Sequence, residues 1–274
     1  MSDPETYRDA YNRLLDNLKQ YGSVAVAFSG GTDSTFLLIA AREVLGEKVT
    51  AFTVKTPYIP DREIDEARSF CADRRIRHRI IELAFPEIIR GNPEDRCYRC
   101  KRQLFETLLR ETAASGIEKL IEGTNADDMK DYRPGFKALQ ELSVGSPLLE
   151  SGFTKAAIRE LSKSMGLPTW DKPAYACLLT RLPYNRTVSE SDLARIENAE
   201  LFLIEAGYRS VRVRSEDKTA RIEMAPELIV SFITSGFYKE TAAYLKSLAF
   251  RSISLDLEGY RTGSFNSTIE KKAV

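Results

Sequence analysis

One short stretch of the chain carries the residue types that hold phosphates. Residues 24–38 read VAVAFSGGTDSTFLL, an apolar run followed by a glycine pair and hydroxyl side chains. Gly30 and Gly31 let backbone N–H groups approach an anion, and Ser29, Ser34 and Thr35 can donate hydrogen bonds to it. A Walker A loop would place a lysine beside the β- and γ-phosphates, and this loop has none. The residues predict a phosphate site of another kind, at the start of a helix whose dipole favours negative charge.

Two aspartates predict a magnesium site beside this loop. Asp33 can meet a bound anion only through Mg²⁺ or act as a helix cap, and the segment GTNADD at 123–128 adds Gly123 and Asp127 after another predicted strand. Two ordinary interpretations stay open: a tight Gly-Gly turn with a capped helix, and a loop rich in Asn and Asp.

Three of the four cysteines are candidates for metal binding or catalysis. Cys97 and Cys100 form a Cys-x-x-Cys pair flanked by cations at the start of a predicted helix, and Cys177 lies in a stretch interrupted by prolines. Both the helix start and the cations stabilise thiolates, the form that binds metals, although a lone pair also fits a redox dithiol or half of a zinc site. Cys71 falls at a helical core position, and His78, a weak fourth zinc ligand, is expected at a packing or surface position. Three cysteines fit a cubane cluster with one open iron better than a four-ligand structural zinc.

A second polar group is expected in the C-terminal part of the chain. Glu200 lies on the apolar stripe of a predicted helix, so its carboxylate requires a partner. Arg212 and Arg214 share one face of the predicted hairpin VRVRSEDKTARIEM, with Glu223 on the returning strand and Arg181 nearby in sequence. Paired arginines suit an anionic substrate, whereas the ordinary alternative is a solvated face with cross-strand ion pairs.

The elements that must position these residues alternate between strand and helix up to about residue 164. A covering helix is predicted over 5–20, and the alternation that follows predicts an α/β fold with a doubly wound parallel sheet. After prolines near residue 180, a helix over 190–206, the hairpin and a strand within RSISLDLEG predict a smaller α+β domain. The expected domains are 1–180 and 181–274.

Composition restricts the partners. Lys plus Arg equals Asp plus Glu at 40 each, so a protein wrapped around nucleic acid is disfavoured and a small-molecule partner is expected. The start MSDPETYRDAY is neither a secretory signal nor a transit peptide, and no apolar run reaches the length of a membrane span. We therefore expect a cytoplasmic protein with no membrane partner.

The motifs together resemble one family over nearly the whole chain. SGGTDST resembles the PP-loop of the N-type ATP pyrophosphatases, which have the adenine nucleotide alpha hydrolase-like fold. The set AFSGGTDST, RCYRCK, GTNADDMKDYRPG, CLLTRLPY, VRVRSEDKTARIE and LDLEGYRTGSFN resembles the ATP-dependent sulfur transferases (LarE) of nickel-pincer nucleotide biosynthesis. This resemblance implies adenylation of a pyridinium dicarboxylate mononucleotide with release of pyrophosphate, followed by replacement of AMP with sulfur.

The resemblance also implies roles for individual residues. In one branch of the family the cysteine matching Cys177 gives up its own sulfur, and in the other three cysteines hold a 4Fe-4S cluster, which matches Cys97, Cys100 and Cys177 here. ATP and Mg²⁺ are implied as well, with Asp33 and Asp127 as the Mg²⁺ ligands. The implied nucleotide-binding residues are Ala27, Ser29, Gly30, Gly31, Asp33, Ser34, Thr35 and Gly123. The implied substrate-binding residues are Arg181, Glu200, Arg212, Arg214 and Glu223. A homo-oligomer and a sulfide source or sulfur-donor partner are also expected.

Two rival functions remain at this point. A PP-loop tRNA thiolation enzyme requires a positive surface large enough for RNA, and binding that weakens with salt. A non-enzymatic nucleotide-binding Fe-S carrier or redox sensor would bind nucleotide without releasing pyrophosphate.

Overall fold

The computed structural model describes residues 4–130, 134–173 and 176–260. It divides into two units: Met1–Ile89 with Glu94–Tyr175, and Arg90–Pro93 with Ala176–Val274. The domain boundary expected at residue 180 falls inside a 3-10 turn of the second unit, Leu178–Arg181. The motifs GTNADDMKDYRPG and LDLEGYRTGSFN extend beyond the described residues, at 131–133 and after 260.

A four-stranded parallel sheet forms the centre of the first unit. Its strands are β1 (Val24–Ala27), β2 (Val49–Lys55), β3 (Arg77–Glu82) and β4 (Lys119–Ile121). They lie in the order β3-β2-β1-β4, and every neighbouring pair is parallel. The apolar run of β1 follows from this position, because a central parallel strand is covered on both faces.

Helices cover both faces of this sheet. Val24 and Val26 pack into one core with α1, α2, α3 and α7, whereas Ala25 packs into another with α4 and α5. The bounds are α1 Pro4–Lys19, α2 Thr32–Leu45, α3 Asp61–Asp73, α4 Arg96–Ala114, α5 Pro134–Glu141, α6 Pro147–Glu150 and α7 Lys155–Ser164. The predicted doubly wound α/β class is confirmed.

The strand order creates a switch point beside β1. The chain moves from β1 outward through β2 to β3 and then returns to place β4 on the other side of β1. Ligands of open α/β sheets bind beyond the carboxyl ends of strands at such a point. The glycine loop after β1 and the GTNADD loop after β4 therefore lie at the expected edge.

The second unit contains a smaller mixed sheet. Its strands β5 (Arg212–Glu216) and β6 (Thr219–Glu223) form the predicted antiparallel hairpin, and β7 (Ser252–Leu255) pairs parallel to β6. The helices are α8 (Glu190–Glu205), α9 (Pro226–Thr234) and α10 (Phe237–Ser247). Ser189 and Asp192 form the capping box that begins α8.

Length and apolar character together decide whether a helix can cross a membrane. Among the helices of the described residues, none combines the two.

Candidate functional site

Buried hydrogen bonds fix the start of the glycine loop. Ala27 ends β1, and the N–H of Phe28 donates to the carbonyl of Phe52 over 2.8 Å. The Thr53 hydroxyl donates to the Phe28 carbonyl over 2.7 Å and lies 2.8 Å from Nε2 of His78. Since the Thr53 hydrogen is committed to Phe28, the imidazole must donate through Nε2. Burial lowers the pKa of His78, consistent with this neutral, packing role.

The loop itself is held open by its own hydroxyl groups. Gly30 has φ 67°, which favours glycine, and Ser34 Oγ donates to the Gly31 carbonyl over 3.2 Å. The N–H of Gly31 donates to Ser29 Oγ over 3.4 Å. No side chain of the described residues caps α2, and the buried Thr35 hydroxyl has no hydrogen-bond partner among them. Uncapped helix N–H groups and an unused hydroxyl are what a bound anion requires.

Asp33 lies on the first turn of α2 and is only half satisfied. Its Oδ2 forms an ion pair with Lys155 Nζ at 2.5 Å, whereas its buried Oδ1 has no hydrogen-bond partner among the described residues. Burial raises the pKa of Asp33, and the nearby Lys155 ammonium acts in the opposite direction. An oxygen ligand available in this position fits Mg²⁺.

Asp127 and Gly123 approach the same loop from β4. The backbone N–H of Lys155 donates to Asp127 Oδ2 over 2.8 Å, so one lysine contacts both predicted magnesium ligands. A Cβ on Gly123 would lie 3.1 Å from the backbone nitrogen of Ser34. Glycine therefore allows the second loop to pack directly on the start of α2.

A buried carboxylate shapes this second loop. Glu122 is 6% exposed and accepts hydrogen bonds from the Thr124 N–H over 3.1 Å, the Thr124 hydroxyl over 2.7 Å and the Ser146 hydroxyl over 2.6 Å. Sequence reasoning missed Glu122, whose position beside GTNADD was the one available signal.

The lysine that the loop lacks is supplied from elsewhere in the first unit. Lys155 at the start of α7 contacts Asp33, and Lys172 Nζ donates to the Gly30 carbonyl over 2.9 Å and pairs with Glu66 at 2.5 Å. Neither lysine was identified from the sequence. These two ammonium groups put positive charge beside the predicted phosphate site.

Cys97 and Cys100 lie on the first turn of α4, three residues apart and therefore on one side of the helix. Cys97 is exposed and Cys100 half-buried, and the Tyr58 hydroxyl lies 3.2 Å from Cys100 Sγ. Cys71 is 1% exposed in the core, where burial raises the pKa of its thiol to about 12. The first two thiols are accessible to a metal, and the third is not.

Cys177 belongs to the second unit, at the start of the 3-10 turn Leu178–Arg181. Its carbonyl accepts hydrogen bonds from the Thr180 N–H over 3.0 Å and from Arg181 Nη1 over 3.2 Å. Taken over its described residues, neither unit by itself gathers three or more His, Cys, Asp or Glu side chains that could hold a metal ion.

Arg181 and Glu200 form a buried ion pair in the second unit. Two parallel bonds of 2.8 and 2.9 Å join them, and Arg181 is only 1% exposed. Arg181 Nη1 also donates to the Ala176 carbonyl over 2.6 Å, and Glu200 accepts from the Val213 N–H over 2.9 Å. The pair thus connects the Cys177 turn to α8 and β5.

Arg212 and Arg214 occupy a buried face of the hairpin. Arg214 bonds Glu223 Oε2 through two nitrogens at 3.0 and 2.8 Å, and its Nη1 donates to the Thr180 carbonyl over 2.6 Å. Arg212 is 3% exposed and lies over the Tyr260 ring. A solvated face, the ordinary alternative considered from the sequence, is excluded by this burial.

Comparisons with known proteins agree with this geometry. The profile of the asparagine synthase family matches residues 11–132, which contain the glycine loop and GTNADD. An uncharacterized protein of Synechocystis sp. is 39% identical over 94% of this chain and 98% of its own. The pyridinium-3,5-bisthiocarboxylic acid mononucleotide synthase of Lactiplantibacillus plantarum is 34% identical over 94% of each chain. The chain belongs to the family of this synthase.

Membership of the synthase family confirms the resemblance found in the motifs and makes this chain an ATP-using enzyme of the PP-loop type. A glutamine-hydrolyzing GMP synthase of Thermoplasma acidophilum is 28% identical over 58% of this chain and 55% of its own. That partial match fits a nucleotide-binding unit shared more widely than the C-terminal unit.

Proposed function

We propose that this enzyme adenylates a carboxylate of a pyridinium dicarboxylate mononucleotide and then replaces AMP with sulfur. The observation that carries the proposal is the match to the L. plantarum synthase over 94% of both chains, which includes both units. A match confined to the glycine loop would support nucleotide binding alone.

The first step is phosphoryl chemistry at the glycine loop. A substrate carboxylate oxygen attacks the α-phosphorus of ATP, the bond to the bridging oxygen breaks, and pyrophosphate leaves. The uncapped N–H groups of α2 and the hydroxyls of Ser34 and Thr35 bind the departing pyrophosphate. Mg²⁺ held by Asp33 and Asp127 would neutralise phosphate charge. Lys155 then exchanges its contact with Asp33 for a phosphate oxygen, because both are anionic partners within its reach.

The second unit supplies the binding site for the anionic substrate. Arg212 and Arg214 provide guanidinium groups suited to phosphate or carboxylate oxygens. Glu223 holds Arg214 in place with two bonds, so the arginine is pre-oriented. Glu200 does the same for Arg181, which in turn holds the backbone at Cys177.

The second step is acyl transfer to sulfur. A sulfide nucleophile attacks the carbonyl carbon of the acyl adenylate, and AMP leaves with one of the original carboxylate oxygens. We propose that Cys97, Cys100 and Cys177 hold a 4Fe-4S cluster, which would offer one iron for an exogenous sulfur ligand. The exposed Cys97 and half-buried Cys100 fit this role, since both thiols are reachable from solvent. The protein is expected to work as a homo-oligomer in the cytoplasm with a separate sulfide source.

Pyrophosphate release tests the first step. We expect release from ATP that depends on the pyridinium dicarboxylate mononucleotide and is lost in Asp33→Asn. A matched control is Asp16→Asn, which changes an exposed carboxylate paired with Lys19 on α1. Nucleotide binding with no pyrophosphate release from any carboxylate tested would favour the carrier or redox sensor. Release stimulated by tRNA and suppressed by salt would favour the thiolation enzyme.

Iron and acid-labile sulfide content tests the cysteine roles. Protein reconstituted without oxygen is expected to hold about four iron per chain, lost in each of Cys97→Ala, Cys100→Ala and Cys177→Ala but retained in Cys71→Ala. No cluster in the unaltered protein would refute this part and would make Cys177 a sacrificial sulfur donor, detectable as a mass loss after turnover.

A further inference from the structure

The two cysteines that open α4 have different surroundings. Cys97 is exposed, whereas the Cys100 sulfur lies 3.2 Å from the hydroxyl of Tyr58. Tyr58 is 1% exposed, and its ring packs edge-on against Phe85 with centroids 5.5 Å apart. A buried aromatic ring with its hydroxyl directed at a sulfur is a rigid hydrogen-bonding group, because the tyrosine has little freedom to turn away.

The direction of this hydrogen bond follows from the state of the sulfur. In a thiol either atom can donate, but a metal-bound sulfur has no hydrogen and can only accept. When Cys100 binds a metal, the Tyr58 hydroxyl must therefore donate to it. Partners of this kind orient metal ligands and usually change affinity when removed.

Tyr58 also lies at the functional edge of the sheet. It follows the carboxyl end of β2 at Lys55, and the glycine loop follows the neighbouring strand β1. A side chain from the sheet therefore reaches a cysteine on α4 at the edge where the nucleotide loop is placed.

We propose that Tyr58 is a positioning residue that holds the Cys100 sulfur for metal binding and makes it the more firmly held of the two thiols on α4. The proposal deepens the cysteine role given under the proposed function and rests on it. Cys97, being exposed, is the thiol that adjusts to the bound metal.

A cadmium titration of the cluster-free full-length chain tests this directly. The thiolate-to-cadmium charge-transfer absorption reports binding, and a Cys177→Ala background restricts it to the two cysteines of α4. Tyr58→Phe deletes one hydroxyl, and we expect it to weaken Cd²⁺ binding by roughly 10- to 100-fold. The matched control is Tyr98→Phe, which removes an exposed hydroxyl bonded to Glu141 at 2.7 Å and should leave the affinity unchanged.

A double-mutant cycle separates positioning from loss of structure. In a Cys100→Ala background, Tyr58→Phe should cause no further loss of Cd²⁺ affinity, because the residue acts through Cys100. Equal affinity with and without the hydroxyl, an equal loss in both backgrounds, or no Cd²⁺ binding by the unaltered pair would each overturn the proposal. ATP and pyrophosphate take no part in this titration, so its failure is distinguishable from failure of the adenylation step.

Discussion

Replacing Glu200 with leucine removes the only carboxylate that the described residues place on the Arg181 guanidinium. Arg181 keeps acceptors on Nη1, namely the carbonyls of Ala176 and Cys177 and the Thr180 hydroxyl. Its charge nevertheless stays buried without an anion.

The expected cost follows from that burial. Removing one partner of a buried ion pair destabilises a protein by about 3–5 kcal/mol, against about 5–15 kcal/mol for the unfolding of a whole domain. The Val213 N–H loses its acceptor as well. Glu200→Leu should therefore bring the second unit close to unfolding at room temperature.

Urea unfolding followed by circular dichroism measures this cost. The double variant Arg181→Met/Glu200→Leu should recover most of the loss, since apolar replacement of a buried pair is often neutral. A surface control is Arg186→Met, which breaks a 3.3 Å pair whose Asp217 side chain is 90% exposed and should cost less than about 1 kcal/mol. A cost below about 1 kcal/mol for Glu200→Leu would refute the reasoning, because the pair would then be solvated in solution.

Three further predictions concern the first unit. Lys155→Met should weaken ATP binding in calorimetry by about 10-fold or more, since bonds to charged groups contribute about 1.5–3 kcal/mol, whereas Lys163→Met on the same helix should not. Gly123→Ala places a Cβ 3.1 Å from the α2 backbone and should lower ATP affinity in the same assay without unfolding the chain; unchanged affinity would contradict the loop contact. Burial raises the pKa of Cys71 from 9.0 to about 12, so iodoacetamide at neutral pH should label Cys97 and spare Cys71, as mass spectrometry can show. Because this folded pKa lies above the unfolded one, the stability from Cys71 is complete below pH 9.0 and is lost as the pH rises toward 12, a slope that Cys71→Ala should flatten in urea unfolding.

The local patterns that predicted the fold are short-range. The apolar run before Ser29 and the helix after it predicted a strand-loop-helix unit, and the hairpin alternation put Arg212 and Arg214 on one face. Ser189 with Asp192 predicted the start of α8, and the structure has that capping box. Each of these signals lies within a few residues of the element it predicts.

The contacts that complete the site are long-range, and sequence patterns do not specify them. Lys155 reaches Asp33 across 122 residues, and among 40 basic residues nothing in the pattern distinguishes it. Tyr58 meets Cys100 in the same way, across 42 residues. Burial of the Arg212 face was also beyond the pattern, because alternation shows which residues share a face and not what covers that face.

The most direct test of the central claim follows the oxygen of the substrate. A pyridinium dicarboxylate mononucleotide labelled with oxygen-18 in its carboxylates is incubated with ATP, Mg²⁺ and the sulfide-supplied enzyme, and AMP and the product are analysed by mass spectrometry. Adenylation followed by sulfur transfer predicts one labelled oxygen in AMP for each sulfur gained by the product. Unlabelled AMP, or label in the phosphate products beyond AMP, would contradict attack of the carboxylate on the α-phosphorus.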